Sequence, residues 1–419
     1  MRRTRIAALA LVTTALCGAV AAPAGAEQRS WAEQRLPAEA GALRETIAGL
    51  PSAEATAAQV RFGGNGSHWR GSSGETDLRT HRAVKGDERF RAGSVTKTFT
   101  AAVALQLVHE RKLDLEGTVQ QYLPGLLPAD YPEVKVKYLL NHTSGLPSGD
   151  TREPSDSPEW QKDRFTSWDH RALVQSGLGK GMEFVPGTEQ HYSNIGYNVL
   201  GLLIEKVTGR TYEREVRDRI INPLHLKGTY LPGNETGIRG RHTHGYQAVK
   251  SGEDPTCPKG DRVGPACLVD VTEWDQSETW ASGDLISTTA DLERFMTALF
   301  QGRVVPQPEL ELMFTVPRVP TYDGKKTSKN GGAGSSKPGD DKRTVYTSGM
   351  TEVRIDEHTV IYGKTGSRYG YLDGFGATRD LSRTLVYAVN STDAKGEKPS
   401  ALVQRLLHHA FAATGPAGA

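Results

Sequence analysis

The chain has 419 residues, with 37% hydrophobic and 24% charged side chains and a formal net charge of +2. A charge so near zero excludes the strong positive field that binding to nucleic acid or to an anionic membrane surface requires, so we expect no nucleic-acid partner. The length suits one large domain or two smaller ones and is ample for a buried core.

The first 26 residues have the pattern of an export signal. A basic start at residues 2–5 is followed by an apolar stretch at 6–20 and by the small residues Ala24-Gly25-Ala26, which fit the cleavage rule. A retained anchor helix is the alternative, but the stretch is short for a bilayer. We therefore expect residues 1–26 to be removed and a secreted mature chain, 27–419, without an integral membrane segment. Loss of three Arg leaves 48 Lys and Arg against 49 Asp and Glu, a net charge near −1.

Helices dominate the first three quarters of the chain. Residues 27–50 carry apolar side chains at helical spacing, and two short strands at 57–62 and 67–71 flank a Gly-Gly-Asn-Gly turn, which predicts a hairpin. Further helices are predicted at 98–111, 134–141, 194–208, 211–221 and 291–301. The first of these five is so apolar that we expect it to be a buried central helix.

The pattern changes to strands near the C-terminus. Strands are predicted at 352–354, 359–364, 371–378 and 384–390, before a last amphipathic helix at 400–413. The sequence therefore predicts a mixed α/β fold. Its antiparallel sheet is built from about 27–93 and 345–419 and is flanked by helices, with a mainly helical subdomain of about 94–300 inserted.

Two polar segments lack apolar anchors. Residues 323–342 have low complexity, and we predict a flexible loop there; residues 151–164 form a second polar stretch. Either segment could overhang a substrate cleft, although solvated loops are the simpler interpretation.

Two cysteines remain after signal removal. Cys257 and Cys267 flank a short segment containing Gly and Pro, and such a pair in an exported protein predicts a disulfide. A metal pair is the alternative, but no third and fourth ligands have zinc spacing. No nucleotide or flavin motif is present either, so we expect no metal and no cofactor.

Ser94 and Lys97 carry the first sign of chemistry. They are three residues apart at the start of the apolar helix, so they share one helical face and can act as nucleophile and base. Alone, Ser-x-x-Lys is a weak signal. It gains weight from Tyr192-Ser193-Asn194 about a hundred residues later and from Lys364-Thr365-Gly366, which is predicted to end the strand at 359–364.

With these motifs in this order, the sequence resembles the serine β-lactamase and D-Ala-D-Ala carboxypeptidase superfamily, and within it the class C β-lactamase-like branch. The matching segments are 90–97 (Phe-Arg-Ala-Gly-Ser-Val-Thr-Lys), 141–146 (Asn-His-Thr-Ser-Gly-Leu), 186–197 and 281–288. The resemblance extends from about residue 57 to residue 411 and implies the β-lactamase/DD-peptidase-like fold.

The resemblance also implies catalytic roles. Ser94 is the nucleophile, Lys97 the base, Tyr192 the residue that receives or relays the proton, Asn194 the group that orients Lys97, and Lys364 the source of positive potential. Burial and the neighbouring charge should lower the pKa of Lys97. The two ammonium groups should also favour the phenolate form of Tyr192.

Further residues are implied to bind substrate. Thr365 offers a hydroxyl to a substrate carboxylate, Gly366 lets the substrate backbone approach, and the backbone N–H of Ser367 joins that of Ser94 in the oxyanion hole. Arg354 and Arg368 are the two candidates for gripping a terminal carboxylate. A one-residue register shift would reverse the face that Arg354 occupies.

The expected function is that of an exported serine D-Ala-D-Ala carboxypeptidase, a monomer that acts on small peptides and is acylated by penicillins. The alternatives are a class C-like β-lactamase, a D-amino acid amidase or esterase of the same fold, and a non-catalytic binder. His142 as the catalytic base is disfavoured, and we expect it to hold a loop by hydrogen bonding instead. A Ser-His-Asp hydrolase is also disfavoured, because the sequence has no G-x-S-x-G elbow. Trp274 and Trp280 fit either the cleft or the core.

Overall fold

An antiparallel sheet of six strands, in the order β2-β1-β11-β10-β9-β8, forms the centre of the fold, and helices pack on it. The computed structural model describes residues 38–64, 67–149, 163–249, 262–263, 266–324, 344–396 and 398–411. All of these belong to one compact unit, Leu36–Ala419. The strands are β1 Ala55–Gly64, β2 Ser67–Gly74, β3 Phe90–Arg91, β4 Tyr246–Val249, β5 Arg262–Val263, β6 Ala266–Asp270, β7 Ile286–Ser287, β8 Thr351–Arg354, β9 Val360–Arg368, β10 Tyr371–Thr378 and β11 Thr384–Ser391.

Helices cover both faces of this sheet. They are α1 Ala38–Ile47, α2 Thr96–His109, α3 Val119–Tyr122, α4 Val136–Leu140, α5 His170–Leu178, α6 Asn194–Thr208, α7 Tyr212–Val216, α8 Thr289–Phe300 and α9 Ala401–Phe411. Leu43 of α1 and Leu406 of α9 are fully buried in the core of one face. On the other face α2 is buried on nearly every side, as its apolar sequence predicts. The predicted mixed α/β fold with an antiparallel sheet is confirmed.

Strands from the two ends of the chain meet in the sheet. β1 pairs with β2 in the predicted hairpin and with β11 on its other edge, where Val60 lies opposite Tyr387. β9 lies between β10 and the short edge strand β8, which pairs only with the first part of β9, up to Gly363. The rest of β9, from Lys364 to Arg368, therefore extends past the end of β8.

Three local predictions need correction. The strand predicted at 359–364 continues to Arg368, because residues 364–368 pair with β10, so Lys364-Thr365-Gly366 lies inside a strand rather than at its end. Helix α5 has no predicted counterpart; it is short, begins at the Asp169 cap and buries one face. A three-stranded sheet, β4-β6-β5, lies within the part of the chain expected to be mainly helical, and β7 from the same part pairs with β3 in a two-stranded sheet.

Several predictions fall outside the described residues: the signal at 1–26, the polar stretch at 151–162 and all but two residues of the loop at 323–342. Cys267 lies on β6 and is disulfide-bonded. Its predicted partner Cys257 is not among the described residues, so that pairing stays a prediction. In the described part of the chain, no helix combines the length and apolar character needed to cross a membrane.

Candidate active site

Ser94 lies in a tight 3₁₀ turn, Gly93–Val95, which leads directly into α2. Gly93 has φ +45, and a Cβ there would lie 2.7 Å from the Ser367 nitrogen on β9. The turn is held by Thr96, whose hydroxyl donates to the Gly93 carbonyl at 2.6 Å and accepts from the Leu285 N–H at 3.0 Å. The half-buried Ser94 is thus fixed against residues 364–368, the segment of β9 that has no β8 neighbour and is called here the open part of β9.

Lys97 is fully buried beside the serine. Its Nζ lies 3.2 Å from Ser94 Oγ, and it donates to Asn194 Oδ1 at 2.7 Å and to the Ser282 carbonyl at 2.6 Å. Burial, followed by the charge of Lys364, holds the pKa of Lys97 well below its usual value, as predicted. A neutral amine has two N–H bonds and one lone pair. Both hydrogens have acceptors here, so the lone pair is left for the Ser94 hydroxyl proton.

The start of α6 positions the next two residues. Ser193 caps the helix by accepting from the Gly196 N–H, and its own N–H donates to His142 Nδ1 at 3.1 Å. His142 is buried at φ +62, and burial holds its pKa well below its usual value. Its Nδ1 accepts a backbone hydrogen bond, so His142 orients the Tyr192-Ser193-Asn194 segment.

Tyr192 lies between two lysines. Its ring centroid is 4.8 Å from Lys97 Nζ and 5.0 Å from Lys364 Nζ. The hydroxyl oxygen is buried and has no hydrogen-bond partner in the described part of the chain. Burial raises the pKa of Tyr192, and the nearby Ser94 hydroxyl lowers it by less. Tyr192 is therefore held as a neutral phenol and not as the expected phenolate, because burial penalises the charged form.

Lys364 contributes a second buried amine from β9. Its Nζ donates to the Thr365 carbonyl at 3.1 Å, and burial lowers its pKa to about 8, partly opposed by Asp373. Asp373 lies opposite Gly366 on β10 and is fully buried. Burial raises the pKa of the Asp373 carboxyl well above its usual value. Neither carboxyl oxygen has a hydrogen-bond partner within the described residues.

The open part of β9 presents the predicted substrate residues. Thr365 is exposed, and Gly366 packs so tightly that a Cβ there would lie 2.1 Å from the Ala92 carbonyl oxygen. The Ser367 hydroxyl donates to the Ala394 carbonyl at 2.9 Å. The Ser367 carbonyl accepts from Lys395 Nζ at 3.1 Å.

The two candidate arginines lie in different environments. Arg354 is opposite Val360 at the far end of β8, is 47% exposed and pairs with Glu352 at 3.1 Å, so the structure does not bring it to Ser94. Arg368 follows the site on β9 but is buried in an ion pair with Glu278. Glu278 neutralises Arg368 and Glu352 pairs with Arg354, so neither arginine presents an unpaired charge to a substrate carboxylate.

The sequence does not identify Ser282, and it leaves the two tryptophans between cleft and core. Ser282 acts through its backbone carbonyl, which no side-chain pattern reveals, although it lies in the matching segment 281–288. Trp274 stacks on Tyr369 with ring centroids 4.7 Å apart and is buried, so of the two expected roles it has the packing one. Trp280 is fully buried and donates to Glu213, a core role.

Comparisons with known proteins agree with this geometry. A family model described as Beta-lactamase matches residues 44–410. Penicillin-binding protein 4* of Bacillus subtilis is 27% identical over 59% of this chain and 53% of its own length. Penicillin-binding protein 4 of Amycolatopsis lactamdurans is 31% identical over 56% of this chain and 57% of its own. The chain thus spans little more than half the length of these curated relatives.

Two solved structures cover nearly the whole chain. A D-stereospecific amidohydrolase from Streptomyces superposes with a TM-score of 0.70 at 28% identity, covering 90% of this chain and 99% of that one. The D-amino acid amidase of Ochrobactrum anthropi SV3, complexed with D-phenylalanine, superposes with a TM-score of 0.69 at 26% identity. The match covers 88% of this chain and 98% of that one.

Proposed function

The chain belongs to the Beta-lactamase family and is a serine hydrolase, and from that premise we propose that it is an exported D-Ala-D-Ala carboxypeptidase. It acts on peptidoglycan-type peptides through an acyl-enzyme at Ser94 and is acylated by penicillins. The observation that carries the proposal is the Lys97 amine, 3.2 Å from Ser94 Oγ, with both of its hydrogens held by other acceptors.

The proposed reaction starts with Lys97 as base. Its lone pair takes the Ser94 proton while Ser94 Oγ attacks the substrate carbonyl, whose oxygen receives the N–H groups of Ser94 and Ser367. The neutral Tyr192 hydroxyl gives its proton to the leaving amine and regains one from the Lys97 ammonium. The C–N bond breaks, leaving an ester on Ser94. Attack of water on this ester, with the same groups moving the protons, releases the acid.

A second candidate is a D-amino acid amidase, because two nearly full-length structural neighbours carry amidohydrolase or amidase activity in their names. A third is a class C-like β-lactamase. All three share the acyl-enzyme and differ in the leaving group and in the rate at which water removes the acyl group.

The remaining proposals concern the whole protein. We propose that residues 1–26 are a cleaved signal, that 27–419 form the hydrolase domain with a flexible loop at 323–342, and that the secreted enzyme is a monomer. N-terminal sequencing of the protein recovered from culture medium tests the cleavage, and light scattering tests the oligomeric state.

The function is tested with a substrate panel and one adduct measurement. D-Ala-D-Ala peptides, D-amino acid amides and cephalosporins are compared by kcat/KM, and the enzyme incubated with penicillin is followed by intact mass. A lasting adduct with D-Ala release supports the carboxypeptidase, whereas rapid turnover of the adduct supports the β-lactamase. Ser94→Ala should lose both labelling and hydrolysis, and unchanged activity in that variant would refute the acyl-enzyme.

A further inference from the structure

Lys395, just after β11, places a positive charge beside the open part of β9. Its Nζ donates to the Ser367 carbonyl at 3.1 Å and lies 5.8 Å from the Tyr369 ring centroid. The side chain is exposed. Among the described residues no acidic group forms an ion pair with it. The nearby Arg368 differs, because Glu278 neutralises it.

The Ser367 carbonyl is the acceptor that a substrate nitrogen would reach. In an antiparallel pair, directly opposed residues exchange both N–H···O bonds. A substrate residue whose carbonyl accepts from the Ser367 N–H therefore brings its own nitrogen to the Ser367 carbonyl. Lys395 Nζ already donates to this oxygen. Any substituent on the nitrogen of the scissile substrate residue would therefore lie next to the Lys395 ammonium.

The charge of Lys395 separates two classes of substrate. A free α-ammonium group placed at the Ser367 carbonyl would lie beside the Lys395 ammonium, and like charges at such a distance repel. An acylated nitrogen carries no charge, and its acyl oxygen can accept one of the two remaining Lys395 N–H bonds. A carboxylate on the acyl group would be attracted further.

We infer that Lys395 is a specificity residue that selects substrates acylated on the nitrogen of the scissile D-residue, above all those with an anionic acyl group, and rejects free α-amines. The inference rests on the proposed acyl-enzyme at Ser94. It distinguishes this enzyme's substrates from free D-amino acid amides.

The experiment compares D-Ala-D-Ala, N-acetyl-D-Ala-D-Ala and N-succinyl-D-Ala-D-Ala at pH 7, with cleavage of the D-Ala-D-Ala bond measured by chromatography. The wild-type enzyme should favour the succinyl over the acetyl peptide, and the acetyl over the free peptide, in kcat/KM. Lys395→Met removes the charge from a side chain of similar length. It should decrease the ratio of kcat/KM for the succinyl peptide to kcat/KM for the free peptide by about fivefold or more. Lys395→Arg keeps the charge and should retain most of the preference.

The outcomes separate this inference from the proposed function. Hydrolysis of all three peptides with the same ratios in the wild type and in Lys395→Met overturns the role of Lys395 and leaves the carboxypeptidase intact. Preference of the wild type for the free peptide also overturns it. No cleavage of any peptide, with penicillin labelling of Ser94 retained, would refute the carboxypeptidase itself, and N-acyl and free D-alaninamides then test Lys395 by the same ratio.

Discussion

Replacing Gly366 with alanine tests how closely the nucleophile turn has to approach β9. A Cβ at this position would lie 2.1 Å from the Ala92 carbonyl oxygen and 2.8 Å from both Asp373 carboxyl oxygens. The carboxyl group is the end of a side chain and can turn away, but the carbonyl belongs to the backbone two residues before Ser94. The added methyl group must therefore push β9 and the turn apart.

The size of the shift follows from these distances. An ordinary contact between carbon and a carbonyl oxygen is about 3.3 Å, so relief of the clash requires a displacement of roughly 1 Å. The displaced atoms include the Ser94 and Ser367 nitrogens of the proposed oxyanion hole. A misplacement of that size costs about 100-fold in rate, which is also the lower end of the loss when one oxyanion donor is removed. Overpacking should destabilise the fold by about 1–3 kcal/mol.

The assay is the second-order rate of acylation by a fluorescent penicillin, read by gel and by intact mass, with thermal unfolding measured on the same samples. Gly376→Ala is the matched control in the neighbouring strand. A Cβ there meets only side-chain atoms, the nearest being Ile361 Cγ2 at 3.1 Å. It should acylate within a few-fold of the wild type.

Two results would contradict the reasoning. Acylation of a folded Gly366→Ala protein at the wild-type rate would show that the turn does not depend on its approach to β9. An equal loss in Gly376→Ala would show that any added volume in the sheet impairs the enzyme. In that case the tight contact between Ala92 and Gly366 has no specific role.

Two further predictions concern protons. Acylation should rise with pH as Lys97 becomes neutral and fall above about pH 8 as Lys364 loses its charge. Lys364→Arg, which stays charged, should remove the fall. A descending limb that persists in that variant would contradict this assignment and point to Lys395, whose pKa is also lowered to about 8. Tyr192→Phe should slow acylation by about 10²- to 10⁴-fold without lowering the thermal midpoint, because it removes a buried hydroxyl that has no partner in the described residues. A drop in the midpoint that parallels the rate would instead make Tyr192 a structural residue.

The pairing of Ser94 with Lys97 could be predicted because it depends only on helical spacing. The i,i+3 geometry holds in any helix, and Gly93 before Ser94 is typical of a tight turn. The hairpin β1–β2 and the C-terminal strands could also be predicted from local patterns, namely strand-forming residues bounded by turn residues. Helix α6 likewise has both of its end signals in the sequence, the Ser193 cap and Gly209 at φ 67.

Contacts between distant segments could not be predicted. Arg368 was a candidate for binding substrate until the fold brought Glu278 to it, ninety positions away in the chain. No motif surrounds Lys395 in the sequence. Its proposed role depends on the segment after β11, which the fold brings to Ser367 on β9. The length of β9 was underestimated because Gly366 and Ser367 have poor strand propensity, and only pairing with β10 extends them.

The ionisation states needed burial as well as sequence. The sequence places two amines near Tyr192, and counting charges alone gives a phenolate between two ammonium groups. The lowered pKa of Lys97 agrees with the expectation from burial and the neighbouring charge. The difference lies at Tyr192, whose pKa burial raises because desolvation penalises the phenolate. Lys364, with a pKa of about 8, keeps its charge at neutral pH. The resting site therefore holds an amine able to accept a proton and a phenol able to donate one. Acylation needs both, and a phenolate beside a charged lysine would exchange the two roles, with Tyr192 accepting the proton and Lys97 donating it.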